Sequence, residues 1–146
     1  MKKIIISLIL CVALLIPVMA SASSDITVLV NNSQLVTDVA PKIVEGRTML
    51  PMRAIFERLG ATVTWMETDK IIFATKGEYL IVMQIDNNLM SVRKSGEDSN
   101  KSVTLDVAPF IEEGRTLVPV RAVAEALDAK VDWDKDTRTV IINTKQ

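Results

Sequence analysis

Two stretches of the chain, 68 positions apart, carry almost the same residues. DVAPKIVEGRTMLPMRAIFERLGATVTW (38–65) overlays DVAPFIEEGRTLVPVRAVAEALDAKVDW (106–133), with 17 of 28 positions identical. Self-similarity of this length predicts a duplicated structural unit, each copy too small to bury its own apolar face. The segments before the copies are alike in kind. ITVLVNNSQLVT and LIVMQIDNNLMSV are both apolar alternations broken by an Asn-rich turn. Whatever this chain folds into must be buildable twice and able to merge two half-cores.

The hydrophobic period says what each copy contains. ITVLV (26–30), the pair Asn31-Asn32 and QLVT predict a β-hairpin, since Asn tolerates the left-handed turn conformation. Glu45-Gly46 reads as a tight turn with RTMLP as a short strand after it, and Glu113-Gly114 repeats it. Pro51 is expected at the first helical position, where a missing N–H costs nothing. Met52, Ile55, Phe56 and Leu59 then stand at i, i+3, i+4 and i+7, one apolar face of a helix of about two turns. Gly60 closes it as a left-handed stop, and Asp128 occupies that place in the second copy. TVTW and KIIFAT predict a hairpin around Met66–Asp69, and KVDW with TVIINT another around Asp134–Thr137.

A two-turn helix is marginal alone and must lie on a sheet. The connections are too short for parallel crossovers. The expected fold is therefore α+β: two duplicated units, about 26–76 and 79–144, of antiparallel β-strands, each with one short helix packed on the sheet. RKSGEDSNK (93–101) is rich in turn formers and predicts an exposed loop near the join.

The first residues follow a different logic. MKK, then the apolar run IIISLILCVALLIPVM, then Ala20-Ser21-Ala22 predict a signal peptide over residues 1–22, with residues 23–146 as the mature domain. Cys11 follows Leu10 inside the apolar run, which is no lipid-attachment site. The sole cysteine thus leaves with the signal, and no disulfide is expected. Export without disulfides points to a bacterial exterior: secreted, extracellular or cell-wall associated. No membrane span is expected after cleavage. No basic stripe with interleaved aromatics is present, so nucleic acid is not an expected partner.

Chemistry is scarce. The chain has no histidine, which removes the commonest general base and transition-metal ligand. Zinc or copper would have only carboxylates and thioethers. Asp132-Trp133-Asp134-Lys135-Asp136 imitates the start of a calcium loop, but Thr137 stands where the loop needs Gly and Asn143 where it needs Glu. It reads as an acidic β-turn. Arg53 with Glu57, and Arg121 with Glu125, are i,i+4 pairs. Arg47 and Arg115 suit a salt bridge or a clamp on a carbonyl better than an anion site. Trp65 and Trp133 share one slot on the strand after the helix. Core packing explains them, and stacking on a sugar ring is the alternative that would make them ligand-binding residues. No catalytic, metal or cofactor-binding residue is proposed.

The run DVAPFIEEGRTLVPVRAVAEALDAKVDWDKDTRTVIINT and its earlier copy resemble the copper amine oxidase N-terminal-like domain, also called the stalk domain. The family occurs in secreted and surface proteins of Gram-positive bacteria. The resemblance covers about residues 26–144 and rests on the apolar-Pro segment, GRT, P-x-R-A, the short helix and the following Trp. It implies a five-stranded antiparallel sheet wrapped around a helix, and no catalysis. The oxidase's copper and quinone belong to another domain and need three histidines and a modifiable tyrosine; this chain has no histidine and only Tyr79. The departures, Met66-Glu67 in the first copy and Asp128 in place of a usual Gly, are modest. Residues and resemblance together lead to the expectation of a non-catalytic module of the cell envelope, with an unidentified envelope protein or wall glycan as partner. The alternative is a polysaccharide-binding module using an exposed Trp.

Overall fold

The computed structural model describes residues 25–145; the expected signal peptide lies outside them. Thirteen strands and two helices follow in the order β1 (Thr27–Val30), β2 (Ser33–Gln34), β3 (Lys42–Val44), β4 (Arg47–Pro51), α1 (Met52–Arg58), β5 (Thr62–Met66), β6 (Ile71–Lys76), β7 (Tyr79–Gln84), β8 (Leu89–Lys94), β9 (Lys101–Thr104), β10 (Phe110–Glu112), β11 (Arg115–Pro119), α2 (Val120–Ala126), β12 (Lys130–Asp134) and β13 (Thr139–Asn143). The composition is α+β, mostly sheet. From β3 to β6 every element starts 68 residues before its counterpart from β10 to β13.

The strands form three sheets, ordered β12-β13-β1-β2, β10-β11-β4-β3 and β5-β6-β7-β8-β9. The middle sheet joins the two halves. Its central strands β4 and β11 run antiparallel with Leu50 opposite Val118, Pro51 opposite Leu117 and Met49 opposite Pro119. Leu50 and Val118 are themselves 68 apart, so a local two-fold axis passes between them. Strand alternation sends Leu50 and Val118 into the main core and Met49 and Leu117 into a smaller one with Val107.

Four features differ from the sequence expectation. First, the strands are not all antiparallel. β1 pairs parallel with β13, Thr27 opposite Thr139 through Val30 opposite Ile142. Parallel neighbours need a long connection, and here almost the whole domain supplies it. Second, the five-stranded antiparallel sheet implied by the resemblance is present as β5–β9, but it is one of three sheets, and two helices pack in the core rather than one. Third, Pro51 and Pro119 end β4 and β11 and cap the helices, which start at Met52 and Val120. The expected loop is shorter as well: Arg93 and Lys94 belong to β8 and Lys101 to β9, so residues 95–100 are a hairpin connection within the five-stranded sheet.

Local signals account for the rest. Asn31 and Asn32 (φ 49° and 63°) and Glu45 and Gly46 (φ 48° and 75°) are two-residue turns with both residues left-handed, the geometry that matches the strand twist of a hairpin. Helix α1 ends in a Schellman arrangement. The Gly60 N–H donates to the Glu57 carbonyl and the Ala61 N–H to that of Phe56, with Gly60 at φ 81°. Asp128 (φ 61°) closes α2 the same way, through its own N–H to Glu125 and that of Ala129 to Ala124. Its carboxylate accepts a hydrogen bond from the Tyr79 hydroxyl, which fastens the α2 stop to β7.

One core serves both halves. Val28 and Val30, Leu50 and Val118, Ile55 and Phe56, Val123 and Ala124, Ile72, Ile81, Met83, Met90, Val140 and Ile142 form one buried cluster. The halves fill it unequally. Phe56 faces the core where α2 has Ala124, and Ala74 where β13 has Ile142. Bulk on one side is matched by a small residue on the other, as close packing requires.

Candidate functional site

Two clefts flank the helices. Twelve residues line the smaller, of about 550 Å³. Each has its counterpart, 68 positions away, among the residues lining the larger, of about 590 Å³. The pairs include Trp65 with Trp133, Arg53 with Arg121, Glu57 with Glu125, Asp38 with Asp106 and Arg115 with Arg47. Each cleft therefore draws its Trp, helix Arg and Glu, and loop Asp from one half, and its Gly-Arg-Thr corner from the other.

The Gly-Arg-Thr corner is locked by exchanged ion pairs. Arg47 reaches Asp106 with Nε and Nη2, both 2.6 Å from Oδ2, and its Nη1 donates to its neighbour's carbonyl, Gly46 O, at 3.3 Å. Arg115 does the same with Asp38 (2.7 Å) and Gly114 O (3.2 Å). Salt bridge and carbonyl clamp, the two expectations for these arginines, are both realised in one side chain. The Arg115 bond holds the Asp38 carboxyl below its ordinary 3.8. A third bridge between halves, Lys42 Nζ to both oxygens of Glu112 (2.8 and 2.9 Å), ties the outer strands of the middle sheet.

The helix arginines line the clefts as well. Arg121 Nη1 lies 3.3 Å from Glu125 Oε1 and donates to the Val131 carbonyl at 2.8 Å, which fixes it against β12. Arg53 and Glu57 are looser, at 3.9 Å.

The tryptophans are where the two clefts part company. Trp65 stands on β5 opposite Ile72, is half-buried against the main core, and donates its indole N–H to Glu67 on the following turn. Trp133 stands on β12 opposite Val140 and is 38% exposed. Among the described residues its indole N–H has no acceptor. The position corresponding to Glu67 is Lys135, which has no acceptor to offer. Trp65 thus packs as expected of a core residue, while Trp133 presents part of its ring to a cleft.

Asp134, in the segment that imitates a calcium loop, is spent locally. Its Oδ1 accepts from the backbone N–H groups of Asp136 and Thr137 (2.9 and 3.3 Å), an Asx turn. The Thr137 hydroxyl first, then these amides, hold its carboxyl below 3.8. Asp128 is likewise lowered, chiefly by the Tyr79 hydroxyl. A general acid needs a shift in the other direction. Among the described residues no three acidic side chains gather to hold a metal ion, and no helix is long and apolar enough to cross a membrane.

Sequence reasoning named the tryptophans and the arginines but missed Asp38 and Asp106 as their partners. A signal was available: nine of the twelve cleft pairs are identical residues, whereas the apolar helix positions drift between copies, as in Phe56 against Ala124.

No curated protein and no solved structure matches the chain. A family model, copper amine oxidase N-terminal domain, matches residues 29–142, which spans both clefts and all three sheets. In that family this domain is not the catalytic one. The protein belongs to the copper amine oxidase N-terminal domain family.

Proposed function

We propose that this protein is a non-catalytic interaction module of the bacterial cell envelope, built from two copies of one β-β-α-β-β unit, and that it recognises its partner through the paired clefts. The carrying observation is the clefts themselves. Each has the volume of a ligand pocket and a few fixed polar groups, and the larger also has a mostly apolar lining, the make-up of a recognition site. Both depend on residues from both halves, so the fold that makes them is a single unit. The leader at residues 1–22 supports export, and the arrangement of paired Arg and Asp side chains supports binding rather than proton transfer.

A second reading, a polysaccharide-binding module, is favoured by the half-open Trp133 ring. The test of the main reading is retention of the purified protein on isolated envelope fractions, with cross-linking on intact cells of the source organism. Saturable retention is expected. Absence of retention on every envelope fraction, with no cross-linked product, refutes an envelope role.

A further inference from the structure

We infer that the two clefts have diverged, and that the Trp133 cleft is the one that takes a ligand, a neutral saccharide, while the Trp65 cleft is scaffold. This rests on the reading of the protein as an interaction module and names the site and the ligand class.

The divergence comes from one position. Glu67 holds the Trp65 indole N–H, so that ring is tied to its own turn. Lys135 replaces Glu67 in the second half and leaves the Trp133 ring with a donor and an open face. The larger cleft also adds apolar surface from Ile43, itself 41% exposed, and Val103.

Charge complementarity selects the ligand. Every charged side chain lining this cleft already has an opposite partner: Arg47 with Asp106, Arg121 with Glu125, Asp132 with Lys130 at 3.2 Å. A charged ligand would have to break one of these pairs without gaining a free counter-charge. A neutral pyranose needs no such exchange. Its C–H face lies on the exposed indole ring, and its hydroxyl rim meets the indole N–H and the unused donors and acceptors of the guanidinium–carboxylate pairs.

The experiment uses purified protein and soluble chito- and cello-oligosaccharides, followed by calorimetry and by tryptophan emission in Trp65→Phe, which leaves Trp133 as the sole indole. Saturable binding of a saccharide in both wild type and Trp65→Phe is expected. Trp133→Ala should weaken it roughly 30-fold or more, the scale of losing an aromatic anchor. Lys135→Glu, which offers the acceptor that the first half uses, should weaken it severalfold with an unchanged melting temperature, and so guards against a Trp133→Ala variant that fails to fold. Three results overturn the inference: no saccharide binds, a proline-rich peptide saturates the Trp133 signal instead, or binding survives Trp133→Ala. Retention on envelope fractions that survives Trp133→Ala refutes this site alone, whereas loss of retention in the wild type refutes the interaction-module reading as well.

Discussion

Replacing Gly46 by valine isolates the energy of a single turn. Gly46 sits at φ 75°, and a Cβ built there meets nothing within 4 Å. No clash or new contact therefore enters, and the cost is that of a β-branched residue in the left-handed region, about 1–3 kcal/mol. In a domain of this size each kcal/mol moves the melting temperature by roughly 3–6 °C. Gly46→Asn keeps a residue that tolerates left-handed backbone and should cost well under about 1 kcal/mol. Gly114, at φ 70° with equally open surroundings, provides an internal replicate. The two turns close separate hairpins at the two outer strands of the middle sheet, so the effects of Gly46→Val and Gly114→Val should add to within about 0.5 kcal/mol. Urea titrations and thermal melts of the four variants measure this. A melting temperature that does not move, or valine and asparagine variants of equal stability, would refute the assignment of the cost to backbone strain.

Phe56→Ala empties the bulkiest position of the shared core and should cost about 3–5 kcal/mol in urea denaturation, with both halves unfolding in one transition. Asp128→Ala should melt lower than Asp128→Gly: both lose the Tyr79 hydrogen bond, but only glycine also relieves the positive φ. Acid should destabilise the fold through Asp38, Asp128 and Asp134. Their folded pKa values lie below the ordinary 3.8, so the stability they contribute is complete above that value and is lost as pH falls below it. At the other end Tyr79, raised above 10.0 mainly by its bond to Asp128, contributes stability that is complete below pH 10 and is lost as pH rises beyond it. A stability profile by thermal melts should be flat between these limits, and Tyr79→Phe should lessen the alkaline fall, part of which belongs to Lys94, held above 10.5 first by Tyr79 and then by Glu97.

What the sequence determined by itself was local. Turn chemistry placed Asn31-Asn32 and Glu45-Gly46, the i, i+3, i+4, i+7 spacing placed α1, and Gly60 placed its end, because each of these depends on steric and hydrogen-bond rules acting over a few residues. The 68-residue repeat set the matching element order. Tertiary structure decided which strands met. The parallel pairing of β1 with β13 and the central pairing of Leu50 with Val118 join backbones that offer the same N–H and C=O groups as any others. Nothing in a residue's identity announces such a pairing; it follows from the single arrangement that buries both helix faces in one core. The clefts belong to the same class. Asp38 and Arg115 are 77 residues apart and meet only because the halves exchange their corners across the two-fold axis. The contrast between Trp65 and Trp133 lies between the two cases: its cause, Glu67 against Lys135, is written in the sequence, but its consequence requires the turn that brings a carboxylate back to its own indole.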